Sequence, residues 1–172
     1  ILKKDYKTIS HMLIRAVVTR GKKKIFSGYA LDDIAVQSLF GMVSLTVLVE
    51  GHPIQKIHGN GILVATATGS TAYNLSAHGP IVMPDIKCFI ITELLDHNIP
   101  TPSLIIKKNR TVTVIVDGFR KTDRFIIRKT GELADVVLAT DAERIVALRK
   151  SDRIEIKKSD HLIRFVELEK NY

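Results

Sequence analysis

Cysteine is almost missing from this chain: Cys88 is the only one among 172 residues. A lone thiol cannot build a disulfide framework and rules out a thiolate zinc site. Beside Phe89 and Ile90 it reads as a buried, inert small hydrophobe. That suits a reducing compartment and makes the cytoplasm the expected location. An apolar run of about 18 residues is also absent, as is a signal-peptide pattern, so neither a membrane span nor secretion is expected. Tryptophan is lacking altogether and aromatics make up 6% of the residues. Few of them interleave with basic residues, so a stacking platform for single-stranded nucleic acid is poorly supported. The histidines (His11, His52, His58, His78, His97 and His161) show no paired metal-ligand spacing. There is no Gly-x-Ser-x-Gly elbow and no Gly-x-x-x-x-Gly-Lys loop. Gly59-Asn60-Gly61 is too short and uncharged to cradle a triphosphate alone. Each absence removes a class of enzyme, and the remainder reads as a binding half.

What is present is a chain of single-domain size with 45% hydrophobic residues, enough to bury a core without staples. The formal charge is +8, from 26 Lys and Arg against 18 Asp and Glu. A basic balance favours polyanionic partners, but the charges are scattered. Lys22-Lys23-Lys24 falls at an expected hairpin tip, and pairs such as Lys107-Lys108 and Lys157-Lys158 recur at strand ends. Solvated loop charge is the preferred reading over a nucleic-acid surface. The chain opens at Ile1 rather than at a methionine, which suggests a fragment.

Alternating or β-branched runs predict strands at 12–19, 25–29, 33–37, 43–49, 54–58 and 62–66. Further strands are expected at 88–92, 103–106, 111–117, 124–128, 136–140, 141–148, 153–157 and 161–167. One helix is expected, at 71–77. The fold class is therefore mainly β: a two-layer β-sandwich-like domain of many short strands with one or two short helices, spanning 1–172 as a single domain.

The most informative stretch runs from Gly59 to Pro80. A glycine turn leads into an apolar strand, then into Thr66-Ala-Thr-Gly-Ser-Thr71, then into the helical segment. Small hydroxyl residues at such a turn expose N–H and O–H groups together, which suits a polar or anionic ligand. Ser70 or Thr71 is expected to N-cap the helix, a task for one hydroxyl residue where this loop has several. Tyr73 among the hydroxyls suits a nucleoside, with a buried core tyrosine as the alternative. Asp32-Asp33 is either a surface turn pair or a pair of acceptors for ribose hydroxyls or an adenine amino group. Asp141 reads as a β-turn residue.

The run Gly-Asn-Gly-Ile-Leu-Val-Ala-Thr-Ala-Thr-Gly-Ser-Thr-Ala-Tyr-Asn-Leu-Ser-Ala-His-Gly-Pro (59–80) closely resembles the C-terminal domain signature of the NAD kinases. Ala30-Leu31-Asp32-Asp33 looks like that family's Ala-Leu-Asn-Asp/Glu element. Residues 137–143 followed by Asp152-Arg-Ile-Glu-Ile resemble its late strand, turn and strand. The resemblance covers roughly residues 5 to 170. It implies a β-rich NAD-binding domain of an enzyme that transfers the γ-phosphoryl of ATP, or polyphosphate, to the adenosine-ribose 2′-hydroxyl of NAD. A divalent cation such as Mg²⁺ assists that transfer. It implies NAD contacts from Thr71, Ala72, Tyr73, Asn74, Leu75 and Ser76, with Asp32 and Asp33 facing the adenosine and His58 and Asn60 nearby. The family's Gly-Gly-Asp-Gly motif, which carries the base on an N-terminal partner domain, does not occur here. Catalytic residues are thus expected outside this chain, which alone should bind NAD without phosphorylating it. The loop of Asn60 often reaches a neighbouring subunit in this family, so a homodimer or homotetramer is implied. Four positions depart from the pattern: Asp32 for Asn, Asn60 for Asp, Ala142 for Gly and Ala67 for Pro. At Asp32 a group able to donate becomes one that only accepts.

Two other readings remain open at this stage. One is the C-terminal domain of a diacylglycerol- or sphingosine-type lipid kinase. The other is a non-enzymatic basic β-sandwich that binds nucleic acid.

Overall fold

The computed structural model describes residues 6–39, 41–96, 101–119 and 135–168. Among them are eleven strands: β1 (Tyr6–Arg20), β2 (Lys23–Ala30), β3 (Asp33–Ser38), β4 (Val43–Val49), β5 (His52–Thr66), β6 (Cys88–Asp96), β7 (Leu104–Lys107), β8 (Val112–Phe119), β9 (Val136–Thr140), β10 (Arg144–Ala147) and β11 (Arg153–Leu168). The helical content is a 3-10 turn, Thr68–Thr71, and one α turn, α1 (Tyr73–Ser76).

All these strands pair antiparallel in one sheet, in the order β10-β9-β3-β5-β4-β8-β11-β1-β2, with β6 and then β7 branching from β5. The two ends of that path approach each other. The Arg144 guanidinium of β10 lies 5.8 Å from the Phe26 ring centre of β2. A Cβ built on Gly28 would stand 3.2 Å from the Thr140 methyl of β9. The mainly β expectation holds, and its two layers are halves of one sheet nearly closed into a barrel-like shape.

The period-two pattern explains the interior. Ile14, Ala16 and Val18 of β1, Val43, Leu45 and Val47 of β4, and Val112, Val114 and Val116 of β8 point inward at alternate positions into one core. The second half of β5 breaks the alternation, because Ile62, Leu63, Val64 and Ala65 are all buried. Ile62 and Val64 join the barrel core. Leu63 and Ala65 face the other way, into a second cluster with Ala35, Ala67, Val82, Cys88, Ile90 and Leu94. The stretch from Ala67 to Val82 therefore lies over the outer face of β3, β5 and β6. Full burial of a side chain such as Leu63 or Ile90 contributes about 1.5–3 kcal/mol, which fastens that stretch down.

Several sequence expectations need correction. The strands at 54–58 and 62–66 are one strand, and Gly59-Asn60-Gly61 is no turn. It is the place where β5 exchanges partners: Gly59 pairs with Val43 of β4 and Gly61 with Gln37 of β3. Gly61 sits at φ +149, and a Cβ there would come within 2.1 Å of the Val36 carbonyl oxygen. The separate strands at 153–157 and 161–167 are likewise the single β11. The strand expected at 141–148 is shorter, because 141–143 form the β9–β10 turn. The helix expected at 71–77 is only the single turn α1, preceded by the 3-10 turn. The expected strand at 124–128 lies outside the described residues. The β1–β2 hairpin does turn at Gly21 and Lys22, as anticipated. Cys88 is buried, and that burial raises its thiol pKa.

Candidate functional site

At the end of β5 the chain must leave the sheet, and Thr66 manages the exit. Its N–H donates to the Asp32 carbonyl at 2.8 Å. Its hydroxyl donates to the Leu31 carbonyl at 2.6 Å and accepts the Gly69 N–H at 3.1 Å. Gly69 is then pressed against the Asp32 backbone, where a Cβ would stand 2.1 Å from the carbonyl oxygen. Only glycine permits this approach.

Ser70 is fully buried and caps no helix, nor does Thr71. The Ser70 hydroxyl instead bonds both the carbonyl and the N–H of Val82, at 3.1 Å each, and closes the loop on itself. The N-cap expectation fails because the hydroxyl is used across the loop rather than along it. Asn74 is also fully buried. Its amide donates to the carbonyls of Ser70 and Pro80, and its oxygen accepts the Thr92 hydroxyl at 2.8 Å. These bonds hold the 68–82 loop as one rigid piece and commit the Asn74 side chain to the protein.

With the interior of the loop so occupied, Thr71, Tyr73, Leu75 and Ser76 are left exposed and Ala72 half-buried. Tyr73 is 43% exposed, which removes the core-tyrosine alternative, and its hydroxyl donates to the Gln37 amide oxygen at 3.3 Å. Tyr73 and Ser76 line a cavity of about 780 Å³ together with Asn60, Gln37, Glu93 and Leu95. Three residues singled out from the sequence thus meet on one cavity.

Asp32 and Asp33 stand at the opposite end of β3. Asp32 and Gln37 are five positions apart, roughly 16 Å at about 3.3 Å per residue. The loop bridges this distance, with Gly69 against Asp32 and Tyr73 against Gln37. Asp141 fixes the Asp32 end. Its carboxylate accepts the N–H groups of Leu31 at 2.7 Å, Asp32 at 2.9 Å and Asp33 at 3.0 Å. Its own N–H donates to the Asp33 carbonyl at 3.0 Å. Asp141 is indeed a turn residue, at φ 47, but the three-way clamp was not foreseen.

Crowding with Asp141 perturbs both members of the acidic pair. Burial, then the Asp141 charge, then the Asp32 charge push Asp33 up to about 6. Burial and the Asp141 charge also raise Asp32, while His11 pulls it back down.

His58 lies elsewhere. It bonds the Ser44 hydroxyl at 2.9 Å and borders a separate open pocket with Thr46, Lys56 and Asp117. Sequence reasoning also passed over His11, whose Nδ1 is 2.9 Å from the Thr68 hydroxyl, and Gln37, the partner of Tyr73. Neither carries a local signal, since each matters only through the strand beside it. Among the described residues no group of three or more His, Cys, Asp or Glu is arranged to hold a metal ion. Both oxygens of Asp141 are already engaged by backbone, so this donor set does not fit a cation. Among the same residues no helix is long and apolar enough to cross a membrane.

The family described as the ATP-NAD kinase C-terminal domain matches residues 33–168. The NAD kinase of Geobacter metallireducens is 31% identical over 94% of this chain and 53% of its own length. That of Caldicellulosiruptor saccharolyticus is 32% identical over 99% of this chain and 58% of its own. The chain thus spans about half the length of the curated relatives it matches. Among solved structures, yeast NADH kinase complexed with NADH superimposes with a TM-score of 0.75 at 20% identity, covering 88% of this chain and 41% of that one. An NAD kinase from Archaeoglobus fulgidus in complex with ATP gives 0.70 at 24% identity, covering 93% and 56%. At these identities the two structures establish the fold.

Proposed function

The chain belongs to the ATP-NAD kinase C-terminal domain family, and from that premise we propose that it is the NAD-binding half of an NAD kinase. The observation that carries this reading is the rigid 68–82 loop laid along β3. It ends in the carboxylates of Asp32 and Asp33 and in an exposed ring at Tyr73, over a span that suits an extended dinucleotide. The Tyr73 ring offers a face to a base or sugar. The Asp32 and Asp33 carboxylates accept hydroxyl donors of a ribose. Backbone and side-chain groups of Thr71, Ala72, Leu75 and Ser76 line the path between, with Asn60 across the cavity. Asn74 serves by holding the loop, and His58 belongs to a surface apart from it.

In the complete enzyme the 2′-oxygen of the bound adenosine ribose forms a bond to the γ-phosphorus of ATP, the β–γ bridging bond breaks, and a base takes the hydroxyl proton. This chain contributes binding and orientation. The base, the ATP site and any divalent cation belong to the rest of the enzyme, and we assign no step here to the cation. Homo-oligomeric assembly and a cytoplasmic setting complete the proposal. The family match lends no support to the lipid kinase reading.

The test is a titration of the chain with NAD, a lipid headgroup analogue and an oligonucleotide, read by ligand NMR and melting temperature. Saturable NAD binding is expected. An NAD response missing both from the chain alone and from the complete enzyme would overturn the reading. Oligonucleotide-only binding that weakens steeply with salt would favour the nucleic-acid alternative.

A further inference from the structure

His11 links the dinucleotide loop to the β1–β11 ribbon. It sits where β1 pairs only with β11, just before the register irregularity between Met12 and Ile14. Its Nδ1 meets the Thr68 hydroxyl at 2.9 Å, and its ring stands edge-on to Phe165 of β11, centroids 4.9 Å apart at 87°. Phe165 thereby holds the imidazole upright against the first residue of the 3-10 turn. The next residue, Gly69, is the one pressed on Asp32. One ring therefore braces the loop one residue before its contact with Asp32, whose carboxylate is assigned above to the ligand.

We propose that His11 is a positioning residue of the dinucleotide site: its bond to Thr68 holds the 3-10 turn, and with it the path of the loop from Asp32 to Tyr73. The inference rests on the dinucleotide reading above.

Two substitutions test the role. His11→Ala loses the bond to Thr68 and should bind NAD about fivefold more weakly than the unsubstituted chain. His11→Asn puts an amide near the position of Nδ1, keeps the bond and should restore most of the affinity. Hydrogen exchange of the Gly69 N–H in the ligand-free chain should quicken in His11→Ala and return toward its original rate in His11→Asn. That readout needs no NAD, so it can fail separately from the dinucleotide reading. Unchanged exchange in His11→Ala, or equal NAD affinity of His11→Ala and the unsubstituted chain, would overturn the proposal.

Discussion

Asp141 and Asp32 lie 109 positions apart in the chain, yet the Asp141 carboxylate accepts the Asp32 N–H at 2.9 Å. The same oxygen takes the Asp33 N–H and its twin takes that of Leu31. A side chain from the β9–β10 turn therefore sets the backbone of the acidic pair, and the carbonyl of Asp32 in turn receives the N–H of Thr66 where the loop begins.

Replacing Asp141 with alanine leaves three backbone donors without their acceptor and puts a non-glycine, non-asparagine residue at φ 47. The relief of repulsion on Asp32 and Asp33 offsets part of this. A net loss of about 2–3 kcal/mol is expected in urea denaturation, with weaker NAD binding. Asp141→Asn keeps one acceptor and tolerates the left-handed backbone, so about 1 kcal/mol is expected. Equal losses for the two variants would refute the clamp.

Asp33 should make stability depend on pH in an unusual direction for a carboxylate. Its folded value is about 6, against about 3.9 in an unfolded chain. Between those values the folded state binds more protons than the unfolded state, so stability falls as pH rises from about 4 to about 6 and is level above. The cost at pH 7 is on the order of 2–3 kcal/mol. Asp33→Asn should abolish this slope and raise stability at pH 7, while weakening NAD binding. Denaturation curves at intervals between pH 4 and pH 8 will show whether the slope disappears.

Gly69→Ala drives a methyl group into the Asp32 backbone, whose carbonyl oxygen would be 2.1 Å away. Because the three nearest atoms all belong to the Asp32 main chain, they cannot yield cheaply. A loss of about 2 kcal/mol or more and of the NAD response is expected. Gly41→Ala meets nothing within 4 Å and should stay within about 0.5 kcal/mol of the unsubstituted chain. Thermal melts of both variants, with and without NAD, make the comparison.

Tyr73 should separate binding from stability. Its ring is 43% exposed and its hydroxyl bond to Gln37 is at the surface, so Tyr73→Ala should change stability by less than about 0.5 kcal/mol. Loss of the aromatic face should weaken NAD about tenfold or more, and Tyr73→Phe should restore most of it. Calorimetric titration that found the alanine variant unimpaired would remove Tyr73 from the site.

Much of the fold was legible from local pattern. Alternating runs marked β1, β4 and β8 as strands and the apolar run Ile62 to Ala65 marked the end of β5, while its burial on both sides emerged only from the packing. What misled was punctuation. Gly59-Asn60-Gly61 and Ser159-Asp160 have turn composition, yet both sit inside long strands. Gly61 is required there because Val36 passes so close, a reason that belongs to β3 and not to its own neighbours. The loop shows the same limit. Its hydroxyls signalled polar work, but whether a given one faces ligand or protein depended on what lay opposite. Ser70 found Val82, Thr66 found Leu31, and Tyr73 was left outside.

By itself the sequence determined the β-rich class, the loop from Gly59 to Pro80 and the resemblance to NAD kinases, because alternation, residue size and motif order are local properties. Tertiary structure decided which of those residues share a surface. Only the closing sheet brings Asp141 under Asp32, His11 onto Thr68 and Asn60 across from Tyr73, while His58 borders a separate pocket. Contacts between strands distant in sequence depend on pairing and register, and neither is written into any one segment.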